Sequence, residues 1–366
     1  MKGGFLKTAL VIWTAVSCFA VSGVTVAENL ELKTNAPSAY KVVKGDTLWD
    51  ISALYLDSPW LWPKLWRANP TINNPHLIYP GDKLTLIWRD GQPTIELTPA
   101  AKLDGQAERD SENQAVPTLA KSLLLPYLQQ DRLLSVEELQ AASRIIGSES
   151  GRHFLTAQDN IYIQVNNQSR EWGVYKEVET HYRKSINQSA ISLKLVALAK
   201  TVEQPANAST VSAMTTLKIM NQTQEIKVGD IVLSQEHHTS NRSLSFFPSP
   251  APVELSSSHG QHYPAEIVGM MNGSQFASKN DVVIINRGEQ DNLIKGNMYQ
   301  IERAGAGEWL RHDGKQENKV TPPATHIGQL MVIRTYEHFS LAMVTQSKRP
   351  IDRRVRLTSL LNTVVR

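Results

Sequence analysis

Short runs in which apolar and polar residues alternate, or in which every residue is apolar, recur through the carboxyl-terminal part of the chain. Residues 161–165, 193–198 and 282–285 are examples, and turns containing Gly, Asn and Asp separate such runs. Period-two patterning predicts β-strands. We therefore expect this region to form small antiparallel β-barrels or sandwiches.

Landmarks in this region recur at an offset of about 122 residues, which indicates an internal repeat. The aligned pairs are 145–154 with 267–276, 160–163 with 281–284, 173–179 with 296–302, and 216–219 with 340–343. The sequence thus predicts two related β units. We place the first, with its lead-in, at 119–235, the connection at 236–262 and the second unit at 263–366.

The second unit contains a turn motif at 286–296 that resembles the N-x-G-x-x-D-G-h-x-x-G turn of β-domains in bacterial envelope and flagellar assembly proteins. Asn292 replaces the usual Gly, and Asn is the non-glycine residue that best tolerates a positive φ. The first unit ends in 226–233, which resembles the last strand of such domains. The second unit ends in the basic stretch 348–356, which we interpret as protecting an edge strand rather than contacting an anionic polymer.

The amino-terminal stretch 40–88 has a different pattern, which predicts a β-α-α-β order. We expect strands at 40–43 and 83–87, a first helix after Thr47 and a second at 64–68. Thr47 and Asp50 have the spacing of a helix capping box. A tight turn is predicted at 79–82, because Pro80 fixes φ near the value such a turn needs and Gly81 accepts a positive φ.

This stretch resembles the LysM domain in Tyr40-x-Val42-x-x-Gly45-Asp46-Thr47-Leu48-x-x-Ile51-Ser52, Asn69, Ile78, Pro80-Gly81-Asp82 and Leu84-x-Leu86. LysM domains bind N-acetylglucosamine polymers, either peptidoglycan or chitin, in a shallow groove between two loops. Backbone amides there would bind acetamido groups, and apolar side chains would meet a sugar ring. The glycan-binding residues that the resemblance implies are Gly45, Asp46, Thr47, Leu48, Asn69, Ile78, Tyr79, Pro80 and Gly81. One departure from the family pattern is the longer, more aromatic connection at 56–62.

Five of the eight tryptophans lie in this stretch: Trp49, Trp60, Trp62, Trp66 and Trp88. Indole rings stack on sugars but also supply apolar mass to small cores. We expect most of them to be buried, with Trp60 or Trp62 as the better candidates for an exposed contact. Asp46 and Asp82 are interpreted first as turn and cap residues.

Residues 1–27 read as a secretory signal peptide, with Lys2 and Lys7 before an apolar run and a small-x-Ala end. A retained membrane anchor and lipidation at Cys18 are the alternatives. Without this segment the charge falls from +3 to +1, because two lysines and no acidic residue are removed. We therefore expect no nucleic-acid partner. Cys18 is the only cysteine, so the mature chain, starting with a short extension at 28–39, would lack thiol chemistry.

Between the two regions, residues 89–118 have the composition of a flexible spacer that decouples the halves. Residues 119–144 read as largely helical, interrupted at Pro126, with Ser135 and Glu138 as a second capping box.

No enzyme signature is found in the sequence. His237, His238, His259 and His262 fall in a polar connection and match no metallohydrolase spacing. A glycosidase acid could be sought at Glu137, Glu138 or Glu149. We interpret the first two as residues of a helix surface and Glu149 as a turn residue. We predict no catalytic residue, no cofactor and no metal.

The sequence therefore predicts a multidomain α+β protein, with a small βααβ LysM domain followed by two related mainly-β units. We expect a secreted, periplasmic protein that binds peptidoglycan glycan strands and presents the β units to an envelope protein. The alternatives are a structural assembly factor that uses LysM for protein contact, and an uncharacterised wall hydrolase.

Overall fold

A computed structural model describes residues 30–67, 78–100, 115–125, 127, 132–165, 169–202, 214–235, 247–252, 263–305, 308–312, 315–320, 323–353 and 355–360. The predicted signal peptide, Asn69 and the four histidines of the polar connection lie outside these residues. Within the described part of the chain, no helix is long and apolar enough to cross a membrane.

The amino-terminal unit has the predicted β-α-α-β order with one further strand. Thr47 caps the first helix, since its Oγ1 accepts a hydrogen bond from the Asp50 amide at 3.0 Å. A 3-10 turn at Pro59–Leu61 precedes the second helix and fills the long aromatic connection. The elements are β1 Ala39–Lys41, α1 Leu48–Tyr55, α2 Trp62–Arg67, β2 Lys83–Arg89 and β3 Gln92–Thr98, with an antiparallel sheet in the order β1-β2-β3.

The strand β3 lies inside the segment predicted to be a flexible spacer, so that prediction is wrong there. Asp90 and Gly91 both have positive φ, 50° and 74°, which is the backbone of a two-residue hairpin turn. Asp-Gly is a common pair in such turns, and Ile95 beyond it is fully buried. The centre of the predicted spacer, 101–114, lies outside the described residues.

The lead-in to the β units is only partly helical. The predicted capping box is present: Ser135 Oγ accepts from the Glu138 amide, and a Glu138 carboxylate oxygen accepts from the Ser135 amide. Leu133 and Leu134, predicted to be helical, instead pair in a strand with Ser192 and Ile191. Tertiary pairing overrides local helix preference at these two residues. The elements are α3 Lys121–Leu125, β4 Arg132–Ser135 and α4 Val136–Ala141.

The first β unit is a closed six-stranded barrel, which we call barrel 1. Its strands neighbour one another in the order β5-β7-β10-β9-β8-β12 and back to β5, and β4 extends the sheet beside β9. The bounds are β5 Ser143–Ser148, β6 Phe154–Leu155, β7 Asn160–Gln164, β8 Glu171–Arg183, β9 Gln188–Thr201, β10 Met214–Gln222, β11 Ile226–Lys227 and β12 Ile231–Ser234.

The second β unit, barrel 2, is closed in the corresponding order β14-β15-β20-β19-β16-β21 and back to β14. A short strand, β13, runs parallel to the start of β16, and β17 and β18 form a separate hairpin. The bounds are β13 Ser249–Pro250, β14 Ala265–Met270, β15 Val282–Ile285, β16 Asn297–Arg303, β17 Glu308–His312, β18 Lys315–Val320, β19 Thr325–Thr335, β20 Ser340–Ser347 and β21 Val355–Ser359.

Local backbone features also recur at aligned positions of the two barrels. Gly151 and Gly273 both have positive φ, and so do Gln158 and Asn280. The pairing of the first two strands shifts register after Ile145 in barrel 1 and after Ile267 in barrel 2. Both barrels therefore bend their first strand at the same place.

Barrel 2 is apolar on the outside as well as the inside. Along β20, Ala342 and Val344 belong to the interior cluster, whereas Leu341 and Met343 belong to a different buried cluster. That second cluster also contains the LysM core, residues of the lead-in and the outward residues of β15 and β19. The amino-terminal unit, the lead-in and the outer face of barrel 2 thus share one apolar core, and the expected decoupling of the halves is wrong.

Candidate functional site

The two predicted glycan loops lie side by side at one end of the amino-terminal sheet. Gly45 and Gly81 have φ of +101° and +96°, a conformation that L side chains rarely adopt. The Gly81 amide donates to the Val42 carbonyl at 2.8 Å, and the Val42 amide donates to the Asp82 carbonyl at 2.9 Å. These bonds join the loop that opens α1 to the loop that enters β2.

Asp46 and Asp82 hold these loops together, as the sequence indicated. Asp46 Oδ2 accepts from the Val43 amide at 2.9 Å and from the Tyr40 hydroxyl at 3.0 Å. Burial, and then the bond to Asp46, raise the pKa of Tyr40. Asp82 accepts from the Tyr79 amide through Oδ2 and from the Ala100 amide through Oδ1, both at 2.9 Å. Both carboxylates are therefore engaged within the domain.

The apolar sugar contacts that we expected are not all available. Leu48 and Ile78 are completely buried in the shared core, and Thr47 is buried as the helix cap. Tyr79, together with Pro80 and Gly81, is half-buried and remains accessible at the loop. Among the predicted apolar contacts, only the Tyr79 side chain can meet a sugar ring without rearrangement.

A short segment from the end of the predicted spacer lies across the two loops. The Leu48 amide donates to the Pro117 carbonyl at 2.9 Å, and the Trp49 amide donates to the Thr118 carbonyl at 3.2 Å. On the other side, the Val116 amide donates to the Ile78 carbonyl at 2.8 Å. Residues 116–118, which we call the strap, therefore occupy backbone groups of both loops. Nothing in the sequence pattern indicated this contact.

The expectation that most of these tryptophans are buried is confirmed, but the two candidates for exposure were wrong. Trp49, Trp60, Trp62 and Trp66 are all buried, so neither Trp60 nor Trp62 is an exposed sugar platform. Trp62 packs against Phe247, with ring centroids 5.8 Å apart. Trp88 is instead 66% exposed near the β2–β3 hairpin.

Two charged contacts join the barrels. Arg183 near the end of β8 forms two hydrogen bonds to Asp291 of the 286–296 turn, at 2.6 and 2.7 Å. Arg353 forms two bonds to Glu179, at 2.6 and 2.5 Å. A cleft of about 710 Å³ lies beside this second pair and includes the exposed ring of Phe276.

The interpretation of the basic carboxyl-terminal stretch as edge protection is wrong for its strand. β21 pairs with both β14 and β16 and is therefore not an edge. Arg353 contacts the other barrel because the stretch before β21 passes the gap between them.

The described residues contain no group of three or more His, Cys, Asp or Glu that could hold a metal ion. Glu138 belongs to a helix cap, and Glu149 accepts a hydrogen bond from the Asn160 side chain at 2.6 Å.

Comparison with known proteins gives one family match and one relative. Residues 40–86 match the family model described as LysM domain. A Bacillus subtilis (strain 168) protein described as "Uncharacterized protein YqbP" is 37% identical over 62 residues, which cover 14% of this chain and 28% of the relative. The chain therefore spans well under two thirds of that relative. The family match, the β-α-α-β order and the two adjoining glycine loops agree, and residues 40–86 of this chain are a LysM domain.

Proposed function

We propose that this protein is a non-catalytic binding protein of the bacterial cell envelope, which attaches to peptidoglycan glycan strands through its LysM domain. The observation that carries the proposal is the LysM match at 40–86, since LysM is a glycan-binding module. Its target class is N-acetylglucosamine polymers of the peptidoglycan or chitin type. The adjoining Gly45 and Gly81 loops supply backbone amides of the kind that bind acetamido groups.

The proposal places the protein in the periplasm, because residues 1–27 have the pattern of a cleaved signal peptide. Peptidoglycan is then within reach. The mature chain would carry no cysteine, so an oxidising compartment would not alter it.

In this proposal the two barrels are diverged copies of one unit, and they are the part presented to another envelope protein. The shared strand order and the recurring backbone features support their common origin. Because the barrels share a core with the LysM domain, they would be held close to the wall rather than on a long tether.

The test is co-sedimentation of residues 28–366 with purified, protein-free sacculi, with the supernatant assayed for released muropeptides. We expect binding without release. Tyr79→Ala should weaken binding about fivefold to tenfold, because a half-buried aromatic contact is worth about 1 kcal/mol. Trp88→Ala is the matched control, since Trp88 is exposed at the opposite end of β2 and should leave binding unchanged. Released muropeptides would contradict the non-catalytic role.

A second candidate function is protein-mediated assembly, in which the LysM domain makes contacts to protein rather than to glycan. The strap favours it, because the groove already holds a peptide. Failure of the native chain and of every variant to bind sacculi would support this function over glycan binding.

A further inference from the structure

The strap occupies backbone donors and acceptors of the kind that an N-acetyl sugar would need in this groove. An acetamido group is a secondary amide, with one carbonyl acceptor and one N–H donor, as a peptide unit has. The strap presents two carbonyls, of Pro117 and Thr118, to the amides of Leu48 and Trp49. It presents one N–H, of Val116, to the carbonyl of Ile78. The strap thus offers the same kinds of donor and acceptor as an acetamido group, with one carbonyl more.

The strap is also well suited to stay in place. Pro117 has no N–H and a fixed φ, and it restricts the preceding Val116 to extended geometry, so little chain entropy is lost on docking. Val116 is 3% exposed and Thr118 is fully buried. Val116 belongs to the shared apolar core, and so does Leu119, the residue that directly follows the strap. Docking therefore combines three backbone hydrogen bonds with apolar burial.

We infer that the strap is an internal competitor of the glycan, so that the LysM groove opens to N-acetylglucosamine polymers only when residues 116–118 leave it. This inference rests on the proposed glycan-binding function and adds its regulation. The apparent affinity then equals the intrinsic affinity multiplied by the fraction of molecules with an open groove. If the strap is docked in about nine molecules of ten, releasing it raises the apparent affinity roughly tenfold.

Release can be produced by Val116→Asp, because a carboxylate at a buried apolar position without a partner is strongly unfavourable. Leu123→Asp is the matched control, since it places the same charge on the adjoining lead-in at a side chain that is 36% exposed. The N-acetylglucosamine hexamer is the probe, and isothermal titration calorimetry on the 28–366 chain measures its Kd. We expect the Kd of Val116→Asp to be about tenfold lower than that of the native chain, and Leu123→Asp to match the native chain.

Amide hydrogen exchange on the native protein provides the second measurement, which needs no substitution. Saturating hexamer should speed exchange of the Val116 amide as the strap leaves, while the Leu48 and Trp49 amides stay protected by the sugar. Unchanged exchange at Val116 on hexamer binding would overturn the inference, even if the Val116→Asp variant fails to fold.

Different results would overturn competition by the strap and glycan binding by the LysM domain. Equal Kd values for the native chain and folded Val116→Asp would overturn competition by the strap and leave glycan binding intact. Absence of hexamer binding in the native chain and in folded Val116→Asp would overturn both proposals.

Discussion

Arg183 and Arg353 cross the gap between the two barrels, yet their surroundings differ. The Arg183 side chain is 8% exposed and its partner Asp291 is 22% exposed, whereas Arg353 and Glu179 are 42% and 30% exposed. Arg183 also donates to the His338 carbonyl at 3.0 Å. An ion pair contributes less to stability when water screens its charges. The two arginine pairs therefore differ in their contribution to stability, although both make two hydrogen bonds.

Arg183→Ala should therefore lower the free energy of unfolding by about 2–3 kcal/mol, because the largely buried Asp291 loses two short charged hydrogen bonds and keeps the longer contact to Arg287 Nε at 3.9 Å. Arg353→Ala, the control, should cost less than about 1 kcal/mol. Urea unfolding followed by far-ultraviolet circular dichroism measures both. Equal losses in the two variants would contradict this account.

At the scale of elements, β8 of barrel 1 contacts β14 of barrel 2. His181 on β8 is buried, and its ring nitrogens lie 3.3 Å from the Val268 carbonyl and 3.0 Å from Ser192 Oγ. Burial lowers the pKa of His181, which favours the neutral imidazole. Gly269 on β14 allows this close contact with β8, because a Cβ at position 269 would overlap the His181 ring.

Gly269→Ala should thus destabilise the protein by about 1–3 kcal/mol through overpacking at the barrel contact. Gly147 is the aligned position of barrel 1, and a Cβ there meets nothing within 4 Å. Gly147→Ala should change stability by less than about 0.5 kcal/mol. Differential scanning calorimetry of both variants tests the difference, and a neutral Gly269→Ala would show that the contact is loose.

For the whole molecule, the central feature is the apolar outer face of barrel 2. Met331 and Met343 are adjacent across β19 and β20 and are buried in the same cluster as the LysM core. An isolated barrel would expose this face to water, and large exposed apolar patches promote association. The amino-terminal unit therefore has a structural role, because it covers this face.

Residues 132–366 alone should accordingly form oligomers and bind an apolar dye. Met331→Lys combined with Met343→Glu should restore a monomer in that fragment, because it makes the patch polar with an opposite-charge cross-strand pair. Light scattering after size exclusion measures the state. A monomeric native fragment without dye binding would contradict the shared core.

Several local features of the structure follow from the amino-acid sequence alone. Thr47 and Ser135 cap helices as their spacing predicted, and Asn292 adopts the expected positive φ of 60°. The β-α-α-β order and the mainly-β units were also predictable, because capping, turn chemistry and period-two patterning act between residues that are near in the chain.

Which surfaces pack against one another depends on the tertiary structure. It buried Trp60 and Trp62 and placed the strap across the predicted glycan loops. It also placed Leu133 in a strand, and it brought the amino-terminal unit, the lead-in and the outer face of barrel 2 into one apolar core. These outcomes depend on contacts between residues far apart in the chain, and an apolar residue in the sequence does not specify which surface it will pack against.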